Sequence, residues 1–182
     1  MNKELRVAVV GFGRVGKTIA CLIKQTPYQL ETVILHKEDQ EIEIKQLWQI
    51  NYVTSIERAD WDFPLPDLLF ITTPDNVIET TASKLATYKR DEWKKVIVFH
   101  CSGAFSSKLL LPLSNLGASV GSMHPLKSFA QPINSTSELA AVYWCIEGNL
   151  QATEIANFLV KTTLGKAVTI EASKKHFITQ QQ

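Results

Sequence analysis

Three glycines, Gly11, Gly13 and Gly16, set in the run Gly-Phe-Gly-Arg-Val-Gly, have the spacing in this chain that most directly implies chemistry. They follow an apolar stretch over residues 5–10 and open an amphipathic one over 17–24, which places them where a buried strand passes into a helix. The first-turn amides of a helix lack intrahelical partners and carry partial positive charge, so such a turn is an anion site suited to a pyrophosphate. Gly11 permits the tight turn, Gly13 lets the backbone approach the phosphates, and Gly16 lets the helix pack close to the sheet. Phe12, Arg14 and Val15 complete the expected cofactor-binding loop. A plain strand–turn–helix with packing glycines is the alternative, and the flanking pattern disfavours it.

The end of the second strand should show which dinucleotide fits. An acid there accepts hydrogen bonds from the ribose hydroxyls of NAD, whereas a basic residue accommodates the extra phosphate of NADP. This chain has His36-Lys37, followed by Glu38 and Asp39. Lys37 offers a point charge and favours NADP. NAD stays open if the loop turns early onto the acids, and Lys37 could equally be a solvated loop residue.

Three further polar clusters follow predicted strands, where ligands of doubly wound sheets lie. Thr72-Thr73-Pro74-Asp75-Asn76 comes after the fourth strand, with Thr73 and Pro74 placed beside the cofactor and Asp75 as an expected N-cap. His100-Cys101-Ser102-Gly103-Ala104 follows the fifth, and residues 122–129, Ser-Met-His-Pro-Leu-Lys-Ser-Phe, follow the sixth. His124 is the first candidate for proton donor or polarising group. Ser102 and Lys127 are candidates for positioning, and Ser102 could also touch the cofactor. Each has a plainer reading: His124 as a loop-fixing imidazole, Ser102 and Ser128 as helix caps. His100 reads better as a core-edge imidazole with a backbone partner than as a catalytic group, and Cys101 as an inert small residue. No Gly-x-Ser-x-Gly supports a nucleophilic triad.

The elements that must position these groups alternate between strand and helix patterns. Strands are expected over 5–10, 31–36, 52–56, 65–73, 95–100, 118–122, 141–146 and 167–170, and helices within 37–49, from 75, over 106–116 despite Pro112, and over 151–163. Such alternation predicts an α/β fold with a doubly wound, mainly parallel sheet. The chain has 182 residues, enough for a sizeable core, and a net charge of +1. That balance supplies no basic field for nucleic acid or an anionic membrane. No apolar run approaches the roughly 18 residues that span a bilayer, and the N-terminus lacks a signal peptide's apolar region, so a cytoplasmic location is expected. Three widely spaced cysteines, Cys21, Cys101 and Cys145, argue against a disulfide framework or a zinc site.

At the glycine loop and the three clusters the chain resembles Rossmann-like proteins that carry a C-terminal domain of unknown function. These are relatives of ketopantoate reductase, pyrroline-5-carboxylate reductase and deazaflavin-dependent NADP oxidoreductase. The resemblance runs from about Val7 to Ile170, through Pro74-Asp75, His100-Cys101-Ser102-Gly103, His124-Pro125-Leu126-Lys127-Ser128-Phe129 and Ile146-Glu147-Gly148. It implies a Rossmann-type nicotinamide-binding domain of the 6-phosphogluconate dehydrogenase kind, followed by a helical domain that closes the substrate cleft and often dimerises. Lys175-His176 looks like the opening of that domain's first helix, and six residues follow it. The expected organisation is therefore a dinucleotide-binding domain over 1–171 and the start of a truncated helical segment or tail over 172–182. A homodimer or a partner chain would supply the missing wall, and turnover by the chain alone should be small.

The function expected is reduction of a C=O or C=N group of a small substrate, with NADP or NAD as cofactor. Two other classes stay open. One is a non-catalytic dinucleotide-binding module, a sensor or an assembly partner. The other is a methyltransferase, disfavoured because His36 stands where such enzymes commonly place an acid.

Overall fold

The computed structural model describes residues 4–36, 41–58, 61, 63–127, 129–131, 133 and 135–177, the side chains of Thr136, His176 and Phe177 excepted. Lys37, Ser128 and the segment 178–182, on which sequence expectations fall, lie outside the described residues. Among the described residues eight strands form one sheet: β1 (Arg6–Val10), β2 (Gln29–Leu35), β3 (Tyr52–Ser55), β4 (Leu68–Ile71), β5 (Ile97–His100), β6 (Ser119–Pro125), β7 (Tyr143–Gly148) and β8 (Lys166–Thr169). Their spatial order is β3-β2-β1-β4-β5-β6-β7-β8. All neighbouring pairs are parallel except β6 with β7.

Parallel strands buried on both faces need apolar side chains at every position, and the central strands have them. Val7 and Val9 of β1, Leu68 and Phe70 of β4, and Ile97 and Phe99 of β5 enter one core. The intervening Ala8, Val10, Leu69, Ile71 and Val98 enter the other. The first core is covered by α1 (Arg14–Ile23), α2 (Glu41–Trp48) and α6 (Leu150–Thr162), and the second by α3 (Ile78–Leu85) and the short α4 (Leu111–Ser114). α5 (Thr136–Ala140), capped by Ser135, lies in the β6–β7 connection and touches α1.

Three local expectations are corrected. Residues 106–116 are a 3₁₀ turn, Ser107–Leu110, followed by α4 with Pro112 in its first turn, because a proline without an amide donor is tolerated only there. The sixth strand continues through Met123 and His124 to Pro125, because β7 pairs with it antiparallel up to Pro125–Trp144. His124 is therefore a strand residue and not part of a loop after the strand. Asp75 does not cap a helix: Pro74 precedes a 3₁₀ turn, Asp75–Val77, that leads into α3.

β1 has β2 on one side and β4 on the other, so the chain reverses its direction of winding there, and a crevice opens beyond the carboxyl ends of these strands. Gly11 sits at this point with φ +82°, a conformation costly for any residue with a Cβ. Gly16 is packed from the other side. A Cβ on it would run into the Gly11 carbonyl oxygen and lie 2.8 Å from Thr72 Oγ1. We expect Gly16→Ala to lower stability by about 1–3 kcal/mol, the usual cost of forcing a methyl group into a filled site, read as a fall in midpoint by thermal or urea unfolding.

Candidate dinucleotide and substrate site

The glycine loop is held by the Gly11 amide, which donates to the Ile34 carbonyl at 2.8 Å, and by a hydroxyl. Thr72, just after β4, donates its Oγ1 proton to the Gly11 carbonyl at 2.7 Å, with the Val10 carbonyl at 3.0 Å. α1 begins at Arg14 with Gly13 as its N-cap, and its first internal bond runs from the Lys17 amide to the Gly13 carbonyl. A Cβ built on Gly13 meets nothing within 4 Å. Packing within the protein therefore does not require this glycine, whereas a ligand approaching the α1 amides would.

The other loop residues divide between loop and core. Phe12 turns inward and packs edge-on to Trp48, with ring centroids 5.1 Å apart, so its offering to a ligand is main chain. Val15 is half-buried against the core. Arg14 donates from Nη1 to the Phe129 carbonyl at 3.0 Å, and the Ile133 amide donates to Thr18 Oγ1 at 3.3 Å. These two bonds fold the β6–β7 connection over the start of α1.

Beside the loop is a cavity of about 610 Å³ bounded by Gly11, Thr73, Pro74, Ile56, His36 and Lys84. Thr73 Oγ1 is sealed from solvent with no hydrogen-bond partner among the described residues, an arrangement that a ligand's polar group would relieve. His36 is exposed at the end of β2, with Nδ1 3.8 Å from Glu57 Oε1.

Beyond β5 and β6 the remaining candidates meet. Ser102, 4 % exposed, donates its hydroxyl to Asp75 Oδ2 at 2.8 Å and accepts from the Ala104 and Phe105 amides at 3.2 Å each. Its hydrogen-bonding capacity is thus committed to holding the turn and Asp75. His124 donates from Nδ1 to the Cys101 carbonyl at 2.9 Å, which leaves Nε2 as an acceptor. Nε2 is sealed and has no partner among the described residues. Gly103 covers it so closely that a Cβ there would lie 2.6 Å away. Burial, opposed by the Cys101 bond and assisted by the Lys175 charge, holds the imidazole below its ordinary pKa. Lys127 is exposed on the connection after β6.

His100 is fully buried. It accepts from the Ser102 amide at Nδ1 and donates from Nε2 to the Ser106 carbonyl. Cys101 is a buried free thiol whose pKa burial pushes up to about 12, which makes it unreactive.

Two residues that sequence reasoning did not place in the site complete this region. Lys175, 1 % exposed, donates from Nζ to Ser122 Oγ at 2.6 Å. Ser122 in turn donates to Glu147 Oε2 at 3.3 Å, and Glu147 also accepts from the Ser107 amide and hydroxyl at 2.8 Å each. Burial lowers the Lys175 pKa, and the nearby thiols and carboxylates oppose that shift. Glu147 was detectable as the acid in an otherwise apolar strand, but nothing in the pattern around Lys175 marks it as buried. The segment expected to open a helix is a 3₁₀ turn, Ala172–Phe177, that inserts this ammonium beside β6 and β7.

This is a doubly wound α/β domain with an amide-lined turn and a cavity at its switch point. The chain belongs to the Rossmann-like domain family, whose model matches residues 1–125. No curated protein matches it in sequence. Among solved structures it is similar to protein TM1727 from Thermotoga maritima, with 18 % identity over 96 % of this chain and 61 % of that one and a TM-score of 0.72. It is also similar to prephenate dehydrogenase from Aquifex aeolicus in complex with hydroxyphenyl propionate and NAD⁺, at 14 % identity, 96 % and 62 % coverage and a TM-score of 0.76. A third is pyrroline-5-carboxylate reductase from Coxiella burnetii, at 12 % identity, 96 % and 62 % coverage and 0.67. At these identities the likeness is one of fold, and the chain spans about three fifths of the length of each. No helix among the described residues is long and apolar enough to cross a membrane.

The burial of His100 gives a signed pH dependence. Burial lowers its pKa to about 4, against 6.5 in an unfolded chain. Between these values the unfolded state binds more protons, so stability rises with pH there and is lost as pH falls from about 6.5 towards 4. Urea unfolding across this window should show a decline on the order of 3 kcal/mol, and a folded His100→Gln variant should show a much flatter profile.

Proposed function

We propose that this chain is the cofactor-binding part of a cytoplasmic NAD(P)-dependent oxidoreductase that reduces a C=O or C=N group of a small substrate, with NADP as the preferred dinucleotide. The observation that carries the reading is the pairing of open space at Gly13, before the α1 amides, with the buried, unpartnered Thr73 hydroxyl on the adjoining strand end. One side of the crevice offers donors to a pyrophosphate and the other a hydroxyl to a sugar or phosphate. The NADP preference rests on the sequence position of Lys37 after His36, with Lys84 on the cavity wall beside His36 and Glu57 in support.

When bound, a nicotinamide dinucleotide supplies the hydride. This chain's share of the reaction is the proton. His124 Nε2 takes it during oxidation of an alcohol or amine; during reduction Nε2 first takes a proton from water as the covering turn opens and then gives it to the developing alkoxide or amide anion. The Nδ1–Cys101 bond fixes the tautomer that leaves Nε2 available. Since Gly103 covers that nitrogen, the 101–105 turn must shift when substrate enters. Lys175 and Asp75 set the local charge, and Ser102 holds the turn. A helical segment or partner chain, in the arrangement common to relatives of this fold, would complete the substrate wall. The covered Nε2 and the committed Ser102 hydroxyl favour a second reading, a dinucleotide-binding module without turnover.

Titration with NADPH by fluorescence or calorimetry tests the cofactor site. Gly13→Val should keep the wild-type melting temperature and lose affinity by at least about tenfold, because its side chain would fill the space before the amides. No binding by the wild type, or equal binding by a folded variant, would overturn the reading. His124→Asn should retain NADPH affinity and lose about 10²–10⁴ in kcat on any carbonyl or imine substrate that the wild type reduces. Binding without turnover over a broad substrate panel, with the helical wall supplied, would select the second reading.

A further inference from the structure

The adenosine end of the cavity has an acid, supplied by a different strand from the usual one. β2 ends in Leu35 and His36, and β3 pairs with it one residue further, the Ile56 amide donating to the Leu35 carbonyl at 2.7 Å. Ser55, buried at the end of β3, ties the two strand ends together. Its Oγ donates to the His36 carbonyl at 3.3 Å and accepts from the Glu57 amide at 3.2 Å. The Trp61 indole donates to the Ser55 carbonyl at 2.9 Å. This turn delivers the Glu57 carboxylate beside His36, onto the rim of the cavity that also contains Gly11 and Thr73.

From the opposite wall Lys84, in the last turn of α3, meets that carboxylate with Nζ 2.7 and 2.8 Å from its two oxygens. Both side chains remain about half exposed, so neither is needed for packing. The Lys84 bond, followed by its charge, keeps the Glu57 carboxyl below the usual carboxylate range. An anion and a cation are thus paired in direct contact on the cavity lining beyond the second strand, where the 2′ position of the adenosine ribose is read in this fold.

We propose that the Glu57–Lys84 pair determines dinucleotide specificity in this chain, Lys84 attracting a ribose 2′-phosphate and Glu57 opposing it while accepting from a free 2′-hydroxyl. The proposal rests on the dinucleotide reading above and assigns the choice to residues 27 apart in sequence, neither of them on β2. An unmodified ribose leaves the pair intact. A 2′-phosphate introduces a second anion next to Glu57, and only transfer of Lys84 to it, with the help of His36, compensates.

The test measures the ratio of NADPH to NADH affinity by titration, together with adenosine 2′,5′-bisphosphate against AMP as probes that lack the nicotinamide half. Lys84→Met should lower both ratios, and Glu57→Gln should raise both, each by about three- to tenfold, the range for partly screened charges. Lys84→Arg should restore most of the wild-type ratio. Circular dichroism and melting temperature check that the exposed substitutions leave the fold intact. Binding of both dinucleotides with ratios that move less than about twofold in either variant would overturn this inference alone. Failure of the wild type to bind either dinucleotide would overturn the function proposed above along with it.

Discussion

The contact on which the rest of the molecule depends is the crossing of Gly11, Gly16 and Thr72. Here the end of β1, the start of α1 and the end of β4 approach within hydrogen-bonding and van der Waals distance of one another. Parallel strands must be covered on both faces, so the chain leaves β1 through a helix on one face and returns to β4 from the other side. The helix can lie close enough only if the residue facing the Gly11 carbonyl has no side chain. The Thr72 hydroxyl then satisfies that carbonyl from the adjoining strand. The first-turn amides of α1, which the helix itself leaves without partners, lie next to this crossing. The polarity of the site follows from the packing of the sheet.

From this crossing the carboxyl edge of the sheet divides into two kinds of environment. Past β5 and β6 a set of polar groups satisfy one another: Asp75 with Ser102, His100 with main chain on both nitrogens, and Glu147 with Ser107, Ser122 and, through Ser122, Lys175. Buried polar groups without partners are costly, and charges more so, which explains why this half is closed. Past β1 and β4 some groups are left without partners, Thr73 Oγ1 among them, and the first-turn amides of α1 have none within the helix. His124 lies at the edge of the closed half with one nitrogen bonded and one sealed but free.

The central strands were legible in the sequence because a parallel sheet writes itself as uninterrupted apolar runs, and the glycine loop because its spacing is tied to a strand and a helix at either side. What was not legible depended on long-range pairing. Met123-His124-Pro125 reads as a loop after a strand that ends at Ser122, with a proline and a histidine in it, yet β7 comes alongside and supplies an antiparallel partner. Pro125 is tolerated because it is the last residue of the strand. Asp75 reads as a cap, but its carboxylate bonds to a serine 27 residues away. Lys175 carries no sign of burial in its neighbours, and only the depth at which the 172–177 turn docks brings its ammonium to Ser122. The candidate residues were largely found by their position after strands, while their partners and their degree of commitment were not.

This division also bears on how such a domain could serve different substrates with one scaffold. The committed half fixes the Cys101 carbonyl and so the His124 tautomer, which requires no ligand to set it. Preorganised groups need not be reoriented at the moment of reaction, so the cost of ordering them falls on folding. On the function proposed above, the groups left free are those whose partners would differ with the ligand: the α1 amides, a threonine hydroxyl, and a half-exposed Glu57–Lys84 pair that can be opened at small cost because water already screens it. A buried pair at that position would resist exchange, since removing one partner would strand a charge. On that reading, exposure at the Glu57–Lys84 end and burial at the imidazole end are two solutions to two different requirements: exchange of partners in the first place and fixed orientation in the second.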